Sequence, residues 1–345
     1  MAETLAAATI ATASYAPQAA VMAESLQRFH PGLPLYFLLA GPPRPLPHLE
    51  RLGVRIVPLT ELRLPGAARM LLRSSPKELC AALKPAWLKE LLRRGHHTAV
   101  FLDPDMLVLA SLEPLFEAAA GHSLTLTPHL LPEAAAAPDP ALERALLMAG
   151  MFNAGVIGAT CTEETLRFLD WWERRLRTHC LEDVQRAFHY DQRWLDLAPA
   201  FVADLFLLRD PGINAAYWRL PWLGLQLREG AFYAGEQPLR LFHFSGYDPR
   251  RPEEVTRFRP GWRVEESGAA ELFRLYHRLL LEAGWNEAYP AESGGPELWR
   301  VRHFLRRLRA AARLARRNPR LFLQGLKNAG SRRASHPPVT RCGNF

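Results

Sequence analysis

A chain of 345 residues, 48% hydrophobic and 23% charged, has the balance of a globular protein with one large α/β domain and additions, which sets aside a mainly disordered chain. Its formal charge of +8 is uneven: residues 298–345 carry 13 basic side chains and no acidic one, leaving 30 basic against 35 acidic, a net −5, in the body before them. A folded nucleic-acid binder wants its basic residues on the body, so no nucleic-acid partner is expected.

Leu5–Ala13, Leu33–Ala40, Val54–Leu59, Thr98–Leu102 and Ser123–Thr127 are apolar runs of strand length bounded by Gly, Pro or charged turns. Gln18–Phe29 reads as a helix between the first two. Ser75-Pro76-Lys77-Glu78 supplies an N-cap serine, a proline at the first helical position and a glutamate at the third. That capping box opens a helix to about Arg94, with a kink expected at Pro85. Such alternation predicts an α/β fold with a mostly parallel sheet covered by helices. A loop around Ala134–Ala137 precedes a helix at Ala141–Met148. Gly155–Ala159 follows as a short strand, and Glu163–Arg177 as an amphipathic helix. Phe201–Leu208 and Leu239–Phe244 are further strand candidates, Ala269–Glu282 is helical, and residues 286–296 read as a linker. Cys80, Cys161, Cys180 and Cys342 form no CxxC pair, which argues against a disulfide framework or structural zinc and for a reducing, cytoplasmic setting. No apolar run reaches the roughly 18 residues that span a bilayer. Leu5–Ala13 ends in a form that leader peptidases accept, but Glu3 is the only charge ahead of it, where a leader carries Lys or Arg.

The sharpest chemical signal is Val100-Phe-Leu-Asp103-Pro-Asp105-Met-Leu-Val108. Two carboxylates two residues apart project to one side of an extended chain, at the end of a buried strand, where open α/β sheets bind ligands. Two like charges there are costly unless a cation neutralises them, and a hard divalent ion shared with substrate phosphates suits the pair. A plain Asp-Pro-Asp turn is the alternative. Phe152-Asn153-Ala154-Gly155-Val156 adds an amide with donor and acceptor and a glycine permitting close approach. Tyr190-Asp191-Gln192 places a carboxylate beside an amide. Phe242-His243-Phe244-Ser245-Gly246 presents an imidazole at a strand end, and Asp210-Pro211-Gly212-Ile213-Asn214 leads into Tyr217-Trp218. Each has an ordinary reading as a turn residue, a helix cap, a core histidine or packing.

Together and in this order these motifs resemble the GT-A glycosyltransferases of the glycogenin and bacterial galactosyltransferase (family 8-like) type. Ala82-Leu-Lys-Pro85, Phe168-Leu-Asp-Trp-Trp172, Asp210–Trp218 and His243–Pro249 resemble a bacterial branch of that group, over roughly residues 6–265. The resemblance implies a catalytic domain over residues 1–265, a C-terminal helix packed on it over 266–285, and a metal-dependent enzyme moving a sugar from a nucleotide sugar, UDP-linked by default, to a glycan, lipid-linked or other envelope acceptor. It implies that Asp103, Asp105 and His243 hold Mn²⁺ or Mg²⁺, the imidazole favouring Mn²⁺. Asn153, Ala154 and Gly155, with Asp191 and Gln192, surround the donor sugar, and Asp191 or Gln192 stabilises an oxocarbenium-like state. Lys84 approaches the donor, Gly246 lies against it, and the nucleoside rests on Ile10, Thr12, Ser14 and Tyr15. Two departures stand out. Thr12 occupies the place of the usual acidic base reader, and Pro249 that of the phosphate-binding lysine of HxxGxxK, with Arg250 or Arg251 as replacements.

Two other functions are weighed. A haloacid-dehalogenase-like phosphatase also uses DxD after a strand, but its downstream GDxxxD pair is missing from the sequence. A non-catalytic, membrane-associated protein of the same fold would not require the Asp103, Asp105 and His243 set. The stretch 297–345 has apolar residues at 298, 301, 305, 308, 312 and 315 and arginines at 306, 309, 313, 316 and 320. This is the pattern of a basic amphipathic helix, and residues 298–333 are expected to meet an anionic membrane surface, placing the protein peripherally on the inner membrane. Docking on the acidic body is the alternative.

Overall fold

In the computed structural model residues 5–287 are described, apart from positions 63, 68–69, 71–73 and 137–138. The expectations for the basic stretch and for all but the start of the linker lie outside the described residues.

The chain builds β1 (Leu5–Ala11), α1 (Ala16–Phe29), β2 (Leu35–Leu39), α2 (Pro47–Arg51), β3 (Arg55–Pro58), α3 (Pro76–Arg93), β4 (Thr98–Leu102) and β5 (Met106–Val108). There follow α4 (Glu113–Gly121), β6 (Leu124–Pro128), α5 (Pro140–Ala149), β7 (Phe152–Thr160), α6 (Glu163–His179), β8 (Glu182–Asp183), β9 (Phe188–His189) and β10 (Leu205–Leu207). The last elements are β11 (Ala215–Ala216), β12 (Leu225–Arg228), β13 (Ala231–Ala234), β14 (Gln237–Pro238), β15 (Leu241–His243) and α7 (Ala270–Glu282).

Seven strands form the central sheet in the order β10-β6-β7-β4-β1-β2-β3. All neighbours pair in parallel except β7, which runs antiparallel to β4 and β6. Side-chain alternation splits β1 between two cores. Ala6, Ala8 and Ile10 pack with Trp87 of α3 and with Phe168 and Trp172 of α6. Ala7 and Ala11 pack with Met22 of α1 and Phe116 of α4 on the other face. Helices therefore cover both sides of a mixed, mostly parallel sheet, as expected.

The capping box is present: Ser75 Oγ accepts from Glu78 N–H at 3.1 Å, and Ser75 N–H donates to Glu78 Oε2 at 3.0 Å. Beyond it α3 runs unbroken through Pro85 to Arg93. Its burial against α6 outweighs the one hydrogen bond proline removes. The expected strand Phe201–Leu208 shrinks to Leu205–Leu207, because Gln192–Ala200 coils as a 3-10 helix and the Phe201 ring packs on Trp171 at 4.5 Å. The expected strand Gly155–Ala159 lengthens to Phe152–Thr160, so Asn153 stands inside a strand rather than in a turn.

A second, three-stranded sheet, β11-β15-β5, was not anticipated. β15 pairs antiparallel with β5, setting His243 opposite Met106 and therefore next to Asp105. Helix α7 backs this sheet, with Tyr276 stacked on Phe244 at 3.7 Å.

Candidate active site

The ends of parallel β1, β4 and β6 and the start of antiparallel β7 share one edge of the central sheet. That edge carries Thr12, Asp103, His129 and Asn153. The β6–β7 register is broken there: Leu126 pairs with Ile157, but Thr127 pairs with Asn153, so Ala154–Val156 are passed over. A bulge of this kind frees backbone groups for other partners. Ala154 carbonyl accepts from Lys84 Nζ at 2.9 Å, and Ala154 N–H donates to Gln192 Oε1 at 3.2 Å. Gly155 N–H donates to Asn153 Oδ1 at 2.9 Å, and its carbonyl accepts from Asp103 N–H at 2.9 Å.

A cavity of about 200 Å³ opens at this edge. Of the fourteen residues singled out from sequence, thirteen line it: Ile10, Thr12, Tyr15, Lys84, Asp103, Asp105, Asn153, Ala154, Gly155, Asp191, Gln192, His243 and Gly246. Ser14 does not; it stands behind Thr12, hydroxyl to hydroxyl at 2.7 Å. Asp191 precedes the 3-10 helix without capping it by its side chain. Its carboxylate meets Lys84 Nζ at 3.0 Å instead.

Lys84 joins two acids, since Asp103 Oδ1 lies 3.2 Å from the same nitrogen. Burial alone would strip its proton, but Asp103 and Asp191 more than offset that, and the Lys84 pKa is raised. Burial, then the charges of Asp105 and Asp191, push the Asp103 carboxyl up against the opposing pull of Lys84 and His243. Burial also raises Asp105, but His243, by charge and hydrogen bond, outweighs it and holds this carboxyl below its usual range. His243 Nε2 lies 3.2 Å from Asp105 Oδ1 and 3.8 Å from Asp103 Oδ2. Asp103, Asp105 and His243 each offer one ligand atom, all within 4.8 Å of one another. The donor set, two hard oxygens and one nitrogen, fits a divalent ion, with the nitrogen favouring Mn²⁺.

Gly155 is required by space: a Cβ there would lie 2.7 Å from Asn153 Oδ1 and 2.8 Å from His243 Cε1. Gly246, at φ +75°, lets residues 256–258 pack beneath the cavity wall, where a Cβ would meet Thr256 Oγ1 at 2.5 Å.

Three residues at this edge carried no signal in the sequence, and two of them, His129 and Arg257, line the cavity. His129 is buried, donates from Nδ1 to Gly150 carbonyl at 2.9 Å and faces Asn153 Nδ2 with Nε2 at 3.3 Å. Arg219, fully buried, donates to the carbonyls of Pro128, His129 and Ile213, tying the end of β6 to the segment before β11. Arg257 lines the cavity, and its N–H donates to Gly246 carbonyl at 2.9 Å. Neither Arg250 nor Arg251 lines it: Arg250 packs over Trp285 and Arg251 faces Glu254. No residue between Gly246 and Arg257 lines the cavity, so Arg257, and neither Arg250 nor Arg251, is the arginine of this segment that reaches it.

Burial holds His129 neutral, its pKa pushed down to about 3, with the Gly150 bond opposing and Arg219 assisting. In the unfolded chain the imidazole titrates near 6.5, so between pH 6.5 and 3 the unfolded state binds the extra proton and stability falls as pH falls. Wild type is expected to lose about 2 kcal/mol more stability than His129→Gln between pH 7 and pH 5, read by urea unfolding at both pH values.

In fold the chain matches solved glycosyltransferases of the GT-A type. The bifunctional glycosyltransferase WbbM matches with a TM-score of 0.50 at 11% identity, over 82% of this chain and 52% of WbbM, so the chain spans about half of that protein. At that identity the likeness is one of fold. The galactosyltransferase LgtC, solved with donor and acceptor sugar analogs, matches with a TM-score of 0.48 at 14% identity, over 82% of this chain and 97% of LgtC. In sequence, the chain is similar to the uncharacterized protein YfnD of Bacillus subtilis (strain 168), 25% identical over 256 residues, 71% of this chain and 78% of YfnD. No protein-family model matches it.

Proposed function

We propose that the protein is a divalent-metal-dependent glycosyltransferase that uses a nucleoside-diphosphate sugar. The observation that carries this reading is the convergence of Asp103, Asp105 and His243 at the C-terminal edge of a GT-A sheet, beside the Lys84–Asp191 pair. Bound there, the cation supplies charge compensation for the departing diphosphate. The chain's own groups do the rest. The loop Ile10–Tyr15 receives the nucleoside, with Thr12 as a neutral neighbour for the base. Asn153, Gln192 and the backbone at Ala154 orient the sugar. Asp191, held by Lys84, presents a carboxylate to the positive charge that develops as the anomeric bond breaks. The acceptor oxygen forms the new bond to the anomeric carbon as the bond to the diphosphate breaks, and its proton goes to the departing diphosphate.

A thermal-shift screen of nucleotide sugars with Mn²⁺ tests this and identifies base and sugar together. A UDP-sugar is the expected hit, and stabilisation by no nucleotide sugar would sink the reading. The GT-A fold also leaves the phosphatase alternative without its scaffold.

Arg257 makes no ion pair within 4 Å among the described residues, packs on Phe258 and lies near enough to Asp105 for its charge to lower that carboxyl. It is the cation for the diphosphate in place of the missing lysine, although a guanidinium fork is not equivalent to an ammonium. Arg257→Gln is expected to weaken nucleoside diphosphate binding about 10-fold, the worth of one charge-assisted hydrogen bond, and Arg250→Gln to leave it unchanged. Calorimetry with Mn²⁺ present reads both.

One side of the cavity, at Ala145, Leu146 and Ala149, adjoins exposed Leu130, Leu147, Met148 and Met151. This apolar rim supports a lipid-linked acceptor. The basic stretch 298–333 supports peripheral attachment to the cytoplasmic face of the inner membrane. Replacing Arg306, Arg309 and Arg313 by Glu in the full chain is expected to abolish co-sedimentation with anionic liposomes; equal pelleting would remove the membrane reading.

A further inference from the structure

The metal-side imidazole and the sugar-side amides form one hydrogen-bonded unit, joined by Asn214. This residue is fully buried and sits in the left-handed region at φ +56°, a conformation asparagine tolerates better than most side chains. Its Nδ2 donates to Asn153 Oδ1 at 3.1 Å and to Thr127 Oγ1 at 2.7 Å. Its Oδ1 lies 3.2 Å from His243 Nδ1. Arg219 fixes the approach to it by holding the Ile213 carbonyl at 3.0 Å.

The proton positions follow from one backbone group. Gly155 N–H can only donate, so the Asn153 atom facing it at 2.9 Å is the oxygen. The Asn214 atom facing that oxygen must then be its amide nitrogen. Asn214 consequently turns its own oxygen, an acceptor alone, toward His243 Nδ1. His243 Nδ1 must carry a proton, so Nε2, the nitrogen that faces Asp103 and Asp105, is the one available to a cation. Asn153 Nδ2 reaches Gln192 Oε1 at 3.1 Å, so the same relay runs on to the amide beside the sugar position.

We propose that Asn214 is a positioning residue that fixes His243 in its ligating tautomer and couples cation binding to the orientation of Asn153 and Gln192. It rests on the cation site of the proposed function and not on sugar transfer itself. Partners behind a ligating histidine typically contribute 10–100-fold to metal affinity.

Asn214→Gly tests it, because glycine adopts the left-handed conformation freely and only the side chain is lost. Expected is a Mn²⁺ dissociation constant raised about 10–100-fold, read by electron paramagnetic resonance of free Mn²⁺. A second readout does not need the glycine variant to fold. In metal-free wild type, long-range proton–nitrogen correlation should show His243, assigned by its loss in His243→Gln, protonated on Nδ1. In Asn214→Gly that preference should disappear. A wild-type His243 without a proton on Nδ1, or a glycine variant with unchanged Mn²⁺ affinity, overturns the proposal. Wild type that binds no Mn²⁺ overturns it together with the cation site. Wild type that binds Mn²⁺ in the expected tautomer yet transfers no sugar overturns only the proposed function.

Discussion

Asp105→Ala is expected to reduce metal-dependent sugar transfer, or donor hydrolysis in the absence of acceptor, by about 10³-fold while the fold persists. The carboxylate is one of three groups able to hold the cation. Losing the cation removes roughly 4 kcal/mol of charge stabilisation from the departing diphosphate, and each 1.36 kcal/mol is tenfold in rate. Metal-free stability should change little, because two effects oppose each other: the variant is relieved of the like-charge contact with Asp103 but loses the favourable pairing of Asp105 with His243. The backbone at this turn does not depend on the side chain, because Phe244 N–H reaches the Asp105 carbonyl at 2.8 Å. Melting curves with and without Mn²⁺ separate the two effects: wild type should gain stability with Mn²⁺ and the variant should not. Undiminished turnover in Asp105→Ala would sink the metal-assisted mechanism.

The strand and helix sequence of the first half was legible because its signals are local. Thr98–Leu102 is a continuous apolar run, and Ser75–Glu78 carries its cap within four residues. The same holds for the DxD pair, whose meaning depends only on a buried strand ending at Leu102. What the sequence could not show is pairing across long separations. β5 is three residues long and was not foreseen, and β15 lies within the expected strand Leu239–Phe244, but neither names its partner alone, and it is their pairing that delivers His243 to Asp105 across 138 positions. The bulge at Ala154–Val156 is likewise invisible until β6 and β7 are in register. His129, Arg219 and Arg257 have no motif around them. Each matters through a backbone carbonyl or a cavity wall supplied by a distant segment. The two arginines offered for the diphosphate were the nearest in sequence, whereas Arg257, seven residues beyond Arg250, is the one at the cavity.

Lys84→Met should cost about 3–5 kcal/mol of stability, the usual loss when one partner of a buried ion pair is removed and its counter-charges stay behind. Lys84 Nζ is shared by Asp103, Asp191 and the Ala154 carbonyl, and both carboxylates stand at the cavity with few other cations near. Methionine keeps the length of the side chain, so the loss reads charge rather than packing. A divalent ion between Asp103 and Asp105 is the other source of positive charge for the same cluster. Mn²⁺ should therefore stabilise Lys84→Met more than it stabilises wild type, even though the variant's sugar-side carboxylate, Asp191, has lost its anchor and turnover falls. That crossing distinguishes the two tasks a lysine can have here. If Lys84 only cemented α3 to β7, the variant would lose stability with no change in its response to Mn²⁺. Holding the acids in place until a cation arrives predicts a larger Mn²⁺ shift in melting temperature for the variant, and equal shifts in the two proteins would refute it.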